Sequence, residues 1–254
     1  MNLSVQPTTL AEIAPLRELY RAEMNCQIMG DSFHTRPGWT QSWLLQIGNQ
    51  TAGYGSIAIA GPWKDKPTAF EFFILPQHRL RIFDLFETFL AAANPVAIET
   101  QSNGTLLHIM LHTYAKNITA EAILYHDKIT TTMKQPGVIF RSAMPYDRAQ
   151  ISSQNLDEGA EFLLEQDGQI LATGGLLYHY NPPYGDIFMS VIESHRRRGL
   201  GSFIVQELKR TAYDLKKIPA ARCNVDNIPS RKTLQKAGFV PCGNRLTGRL
   251  ENPK

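Results

Sequence analysis

Apolar side chains recur along this chain at two spacings, three to four residues and two residues, and each spacing predicts its own kind of element. Leu10, Ile13, Leu16, Leu19 and Tyr20 step at helical intervals behind Thr8 or Thr9 as the cap. Residues 42–62 read as a hairpin turning at Gly48–Asn49. A short apolar strand over 69–75, a helix over 81–93 carrying Ile82, Leu85, Phe86, Phe89 and Leu90 on one side, a strand over 95–102, a helix over 104–116 and a strand over 120–131 follow. The run Lys134-Gln-Pro-Gly137 interrupts the pattern. Beyond it, residues 138–144 predict a strand, 145–160 hold one turn of helix, and 161–180 form a second hairpin at Asp167–Gly168. A strand over 184–195, a helix over 203–216, a strand over 220–226, a helix after Asn227 and a last strand over 240–251 complete the chain.

Set beside each other, the two halves repeat: hairpin, strand, basic turn, helix, strand, asparagine, helix. Arg79 falls on Arg196 and Asn103 on Asn227, with the second half longer between these points. The shared residues stand at turns and strand ends as well as at apolar positions, which favours a duplicated unit over chance likeness. The break near 133–137 divides the chain into domains at 1–133 and 137–254.

Composition narrows the class. With 254 residues, 43% hydrophobic and 19% charged, the chain has the make-up of a soluble globular protein with room for two modest cores. A net charge of +3 suits a small anionic ligand and is too weak for nucleic acid. Three widely spaced cysteines (Cys26, Cys223, Cys242) fit a reducing compartment and show no zinc-ligand spacing. The first residues lack a signal-peptide pattern, and no stretch approaches the roughly 20 apolar residues of a membrane helix, so the expected location is cytoplasmic. No metal is expected.

The chemistry concentrates between Tyr184 and Phe239. Arg196-Arg-Arg-Gly-Leu-Gly-Ser202 joins a strand to a helix. Gly199 and Gly201 let the backbone turn tightly and come close to a ligand. The amides of Arg197, Arg198, Gly199, Leu200, Gly201 and Ser202 then converge on a helix N-terminus, which carries roughly half a positive charge and suits a pyrophosphate. Three arginines reinforce that attraction, although a basic run of this kind is more often a solvated face. Neither a dinucleotide-binding G-x-G-x-x-G nor a phosphate-loop G-K-[ST] is present.

Arg196-x-x-Gly199-x-Gly201 after a strand, followed by Asn227-x-x-Ser230 and Gly238-Phe239, resembles the two signatures of the GNAT superfamily of acyl-CoA-dependent N-acetyltransferases, over about residues 160–248. The resemblance implies an α/β (α+β) chain of two tandem GNAT-like domains, each a mixed, mostly antiparallel central sheet flanked by helices. It implies acetyl-CoA as cosubstrate, with the pyrophosphate on the Arg196–Ser202 turn and the pantetheine arm paired to backbone at Met189 and Val191. Asn227 and Ser230 are carried over with the second signature. The acetyl carbonyl is polarised by a backbone N–H, that of Val191 by analogy. A primary amine of a small molecule or peptide attacks it directly, without an acyl-enzyme.

Two departures from the family pattern matter. The position that often holds a tyrosine acid is Leu234, and the position that often holds a glutamate is Gly185, with Asp186 beside it. Asp186, acting as a base through water, and His179 are therefore the catalytic candidates; Tyr178 and Tyr180 stand near them, and Cys223 lacks partners for a nucleophile. Residues 145–160 are also too short for the two helices that usually build the acceptor site. In the first half the turn reads Arg79-Leu-Arg-Ile-Phe-Asp84: both glycines are gone and an aspartate stands where pyrophosphate would lie, marking a degenerate domain. The competing reading is a CoA-binding sensor or scaffold without turnover.

Overall fold

The computed structural model describes residues 2–251. Its twelve strands and six helices are β1 (Leu3–Thr8), α1 (Leu10–Met24), β2 (Thr40–Ile47), β3 (Gln50–Ala58), β4 (Thr68–Ile74), α2 (Ile82–Ala93), β5 (Ala97–Gln101), α3 (Thr105–Tyr114), β6 (Ala115–Asp127), β7 (Ile139–Ser142), α4 (Arg148–Ser153), β8 (Phe162–Gln166), β9 (Gln169–Leu177), β10 (Tyr184–Val191), α5 (Leu200–Asp214), β11 (Ile218–Asn224), α6 (Ile228–Lys236) and β12 (Phe239–Leu250). Two compact units form: residues up to Ala122 together with those from Gly243 on, and Ile123–Cys242. The break expected at 133–137 lies inside the second unit, and the end of the chain returns to the first.

In the first unit the sheet runs β1-β2-β3-β4-β5 and then the end of β12, antiparallel except for β4 with β5. α1 starts as its sequence dictates. Thr9 accepts from the Glu12 amide while the Glu12 carboxylate accepts from the Thr9 amide at 2.9 Å, a complete capping box. Tyr54, Phe72, Phe73, Phe86 and Phe89 are fully buried between sheet and helices. β4 contributes a buried carboxylate. Glu71 lies 3.0 Å from His34 Nε2, 3.0 Å from the Tyr54 hydroxyl and 3.4 Å from Arg17 Nε, tying α1 and the turn at Asp31–Thr35 to the strand.

Burial alone would raise the Glu71 pKa, but the His34 ring, Arg17 and the Tyr54 hydroxyl more than offset it and hold the group at about 2, down from 4.5. Its stabilisation is therefore fully present above pH 4.5 and is lost as pH falls through about 2. Glu71→Gln should lower the unfolding free energy at neutral pH by roughly 3 kcal/mol. The gap between the two proteins should narrow as the pH drops from 5 to 2 in urea melts; a gap that stays constant with pH removes the assignment.

In the second unit the order is β7-β8-β9-β10-β11 and then the end of β6, with β10–β11 the parallel pair. The β8–β9 hairpin turns at Asp167 and Gly168, both left-handed (φ 51 and 77). Ile204, Val205, Leu208 and Ala212 pack α5 onto the sheet with no exposure. α4 is a single helical stretch of six residues. Each unit thus has the expected mixed, mostly antiparallel sheet flanked by helices. Among the described residues no helix is long and apolar enough to cross a membrane.

Candidate functional site: a split between two parallel strands

β10 keeps its antiparallel partner β9 along its length, from Asp186↔Leu177 to Val191↔Ala172. Its parallel partner β11 follows only as far as Asp186↔Ala220. From Ile187 onward the strands diverge, and Phe188 to Val191 regain partial exposure in the middle of a sheet. The hydrogen-bond alternation then fixes what faces the gap. Ile192 donates to Leu171 of β9's side at 3.0 Å, so the N–H and C=O groups of Val191, Met189 and Ile187 point the other way, toward the split. An extended ligand laid there would meet the backbone edge a missing strand would use.

The turn that follows completes the mouth. Arg197 is left-handed (φ 63) although it is not glycine, and Gly199, also left-handed (φ 87), caps α5. Their conformations turn the successive amides into the start of the helix. A Cβ on Gly199 would lie 2.8 Å from Gln135 Nε2, and one on Gly201 would lie 3.2 Å from Thr233 Cγ2. Gly201 lets α5 approach α6; Gly199 supplies the turn.

The other predicted residues divide by role. Met189 and Val191 line the split. The Arg196 side chain folds back, its Nε donating to the Val191 carbonyl at 3.3 Å, so it fastens the end of the strand. Arg79 Nε donates in the same way to Ile74 O at 3.0 Å, so the repeat extends to a single hydrogen bond. Arg197 and Arg198 are exposed; Gln135 Nε2 donates to the Arg198 carbonyl at 3.1 Å. Leu200 and Ser202 are buried, and the Ser202 hydroxyl donates to Thr233 O, which leaves both with only their amides to offer. Asn227 Oδ1 accepts from the Ser230 amide at 3.0 Å, which makes this pair first of all the N-cap of α6.

At the closed end of the split the two catalytic candidates meet. His179 Nε2 lies 2.9 Å from Asp186 Oδ2, and Arg222 Nε lies 3.5 Å from the same oxygen. His179 Nε2 faces the carboxylate without the alignment of a hydrogen bond, and the buried Asp186 Oδ1 has no aligned donor among the described residues. Tyr180 packs its ring edge-on to His179 at 4.6 Å; burial, then the Asp186 carboxylate, push its pKa well up, so its hydroxyl stays protonated. Leu234 is core, which confirms that no acid stands there. Cys223 is buried too, its sulfur 3.8 Å from the Tyr125 hydroxyl. Gln135, Lys236 (its Nζ 3.8 Å from the Gly199 Cβ position) and Arg222 are neighbours of the site that the spacing of motifs does not reveal.

The first unit holds a cavity of about 490 Å³, lined by Thr9, His34, Thr40 and Ser42 among others. Its polar floor is already paired, His34 Nδ1 with Thr40 Oγ1 at 3.0 Å.

The sequence model of the Acetyltransferase (GNAT) family matches residues 129–239. An acetyltransferase from the GNAT family from Colwellia psychrerythraea superposes with a TM-score of 0.76 at 14% identity, over 99% of this chain and 100% of that one. A tandem GNAT protein from the clavulanic acid biosynthesis pathway gives 0.62 at 13%, over 100% of both chains, and a GCN5-related N-acetyltransferase from Sphaerobacter thermophilus gives 0.59 at 12%, over 97% and 95%. No curated protein matches the chain. That family match takes in less than half of the chain. The chain as a whole has the tandem GNAT fold, one that supports acyl transfer in general.

Proposed function

We propose that the second unit is an N-acetyltransferase that moves an acetyl group from acetyl-CoA to a primary amine by direct attack. The observation that carries this reading is the inward-facing amide edge of β10, which ends on the left-handed Gly199 turn. The residues fit the cosubstrate: Met189 and Val191 offer backbone groups to the pantetheine arm, and the amides from Arg197 to Ser202 offer donors to the pyrophosphate. Acetyl-CoA supplies the activated acyl group. The Val191 N–H faces the split where it can polarise the acetyl carbonyl.

His179 is the base that the geometry supports, and Asp186 positions it. With Nε2 turned to the carboxylate, the lone pair of Nδ1 is available to take the proton that the amine nitrogen sheds as the C–N bond forms. The C–S bond breaks, and the thiolate leaves without an acid from α6, because Leu234 has none to give. The first unit does not share this activity. All seven residues of β4 are buried, Arg81 pairs with Asp84 at 2.6 Å in its turn, and no glycine opens the turn.

The test is release of free thiol by the full chain given acetyl-CoA and a panel of primary amines. Release above the background of solvent hydrolysis is expected. Tight acetyl-CoA binding with no release from any amine would put the sensor or scaffold reading in its place.

A further inference from the structure

Resting on the acetyltransferase reading, we infer that Arg222 selects acceptors which carry a carboxylate as well as the amine. The strand register puts it there. Ala220 of β11 pairs with Asp186, and side chains two apart on a strand share a face, so Arg222 stands on the Asp186 side of the sheet. Ala221 and Cys223 turn the other way into the core. Arg222 is the first residue of β11 on that face past the point where the strands part. It therefore forms the wall opposite Phe188, one step from the His179–Asp186 pair.

Its environment leaves it work to do. The guanidinium approaches Asp186 through Nε, at 3.5 Å, and lies 6.0 Å from the Tyr180 ring centre. The terminal nitrogens, the fork that binds a carboxylate with two parallel hydrogen bonds, have no hydrogen-bond partner among the described residues. The side chain keeps 37% of its exposure while Asp186 keeps 5%, so the fork opens to the cleft and the paired carboxylate is behind it. An acceptor with both groups has its amine drawn to the Asp186 side and its carboxylate held by Arg222. The amine is thereby oriented at the split.

The experiment compares glycine, β-alanine and 4-aminobutyrate with their primary amides, using wild type, Arg222→Met and Arg222→Lys. Thiol release with saturating acetyl-CoA gives KM and kcat for each acceptor, and calorimetric titration of the same six compounds into the CoA-bound protein gives affinity without turnover. At least one acid is expected to show a KM about tenfold below that of its amide in the wild type. In Arg222→Met that ratio falls toward one through the acid's KM and not its kcat, and Arg222→Lys retains part of it. Unaltered acetyl-CoA affinity in the variants shows that they are folded.

Equal acid-to-amide ratios in wild type and Arg222→Met overturn the inference, as does a wild type with no preference. If no compound releases thiol, the acetyltransferase reading fails separately. Calorimetry still decides: an acid preference lost in Arg222→Met upholds the role of Arg222, and none in the wild type ends it.

Discussion

Gly201→Asp is expected to weaken acetyl-CoA binding by at least 100-fold, about 2.7 kcal/mol. Two effects act together. The new Cβ would stand 3.2 Å from Thr233 Cγ2 and 3.6 Å from Met189 Cε, crowding the contact of α5 with α6 beside the split. The carboxylate would sit in the first turn of α5, where the exposed amides and the helix dipole favour a ligand's negative charge, and would compete with the pyrophosphate for both. Gly201→Ala separates the effects: if charge dominates, the alanine variant keeps most of the affinity. Titration of acetyl-CoA into these proteins, alongside Arg196→Ala/Gly201→Asp and Ile82→Gly/Asp84→Gly, reads out which unit binds. Binding lost only in the first-unit variant would sink the assignment.

His179→Gln should reduce kcat by about 10²–10⁴-fold, the range for removing a general base, with the Kd for acetyl-CoA unchanged. Asp186→Asn should act more weakly and through His179, because it leaves the shape of the pocket and removes the charge behind the ring. If Asp186 were itself the base, acting through water, the order would reverse, and Asp186→Asn would be the more damaging change. Stopped assays of kcat on the two variants distinguish these outcomes.

The parts of this molecule that follow local rules were legible from the residues. Asp167–Gly168 demands left-handed backbone, Thr9 and Glu12 demand a cap, and Gly199 with Gly201 demands a turn that opens a helix; each is found where its chemistry places it. β1 was not foreseen, because the alternation of Leu3 and Val5 ends on Pro7 beside a strong helix cap. The larger differences come from register. Whether His179 meets Asp186 depends on how the loop after β9 folds back, and Arg222 matters only because Ala220 pairs with Asp186. Alone, an arginine on a strand reads as a solvated charge. Likewise Asn227 matches a family signature, yet its Oδ1 is committed to an amide of its own helix. The motif identifies the element and does not show what each atom touches.

The return of the last strand to the first unit gives the chain a nested order: residues 123–242 are an insert within a host, joined to it by two strands, β6 and β12. A knife placed after residue 133 cannot separate the units, because it parts the host from residues 245–249, which pair with Gln101–Ala97 of β5. Removing only those last residues would uncover the edge of β5, a row of unpaired amides and carbonyls that invites other chains. The fragment to excise for study is 123–242, and the host must be rejoined across the cut.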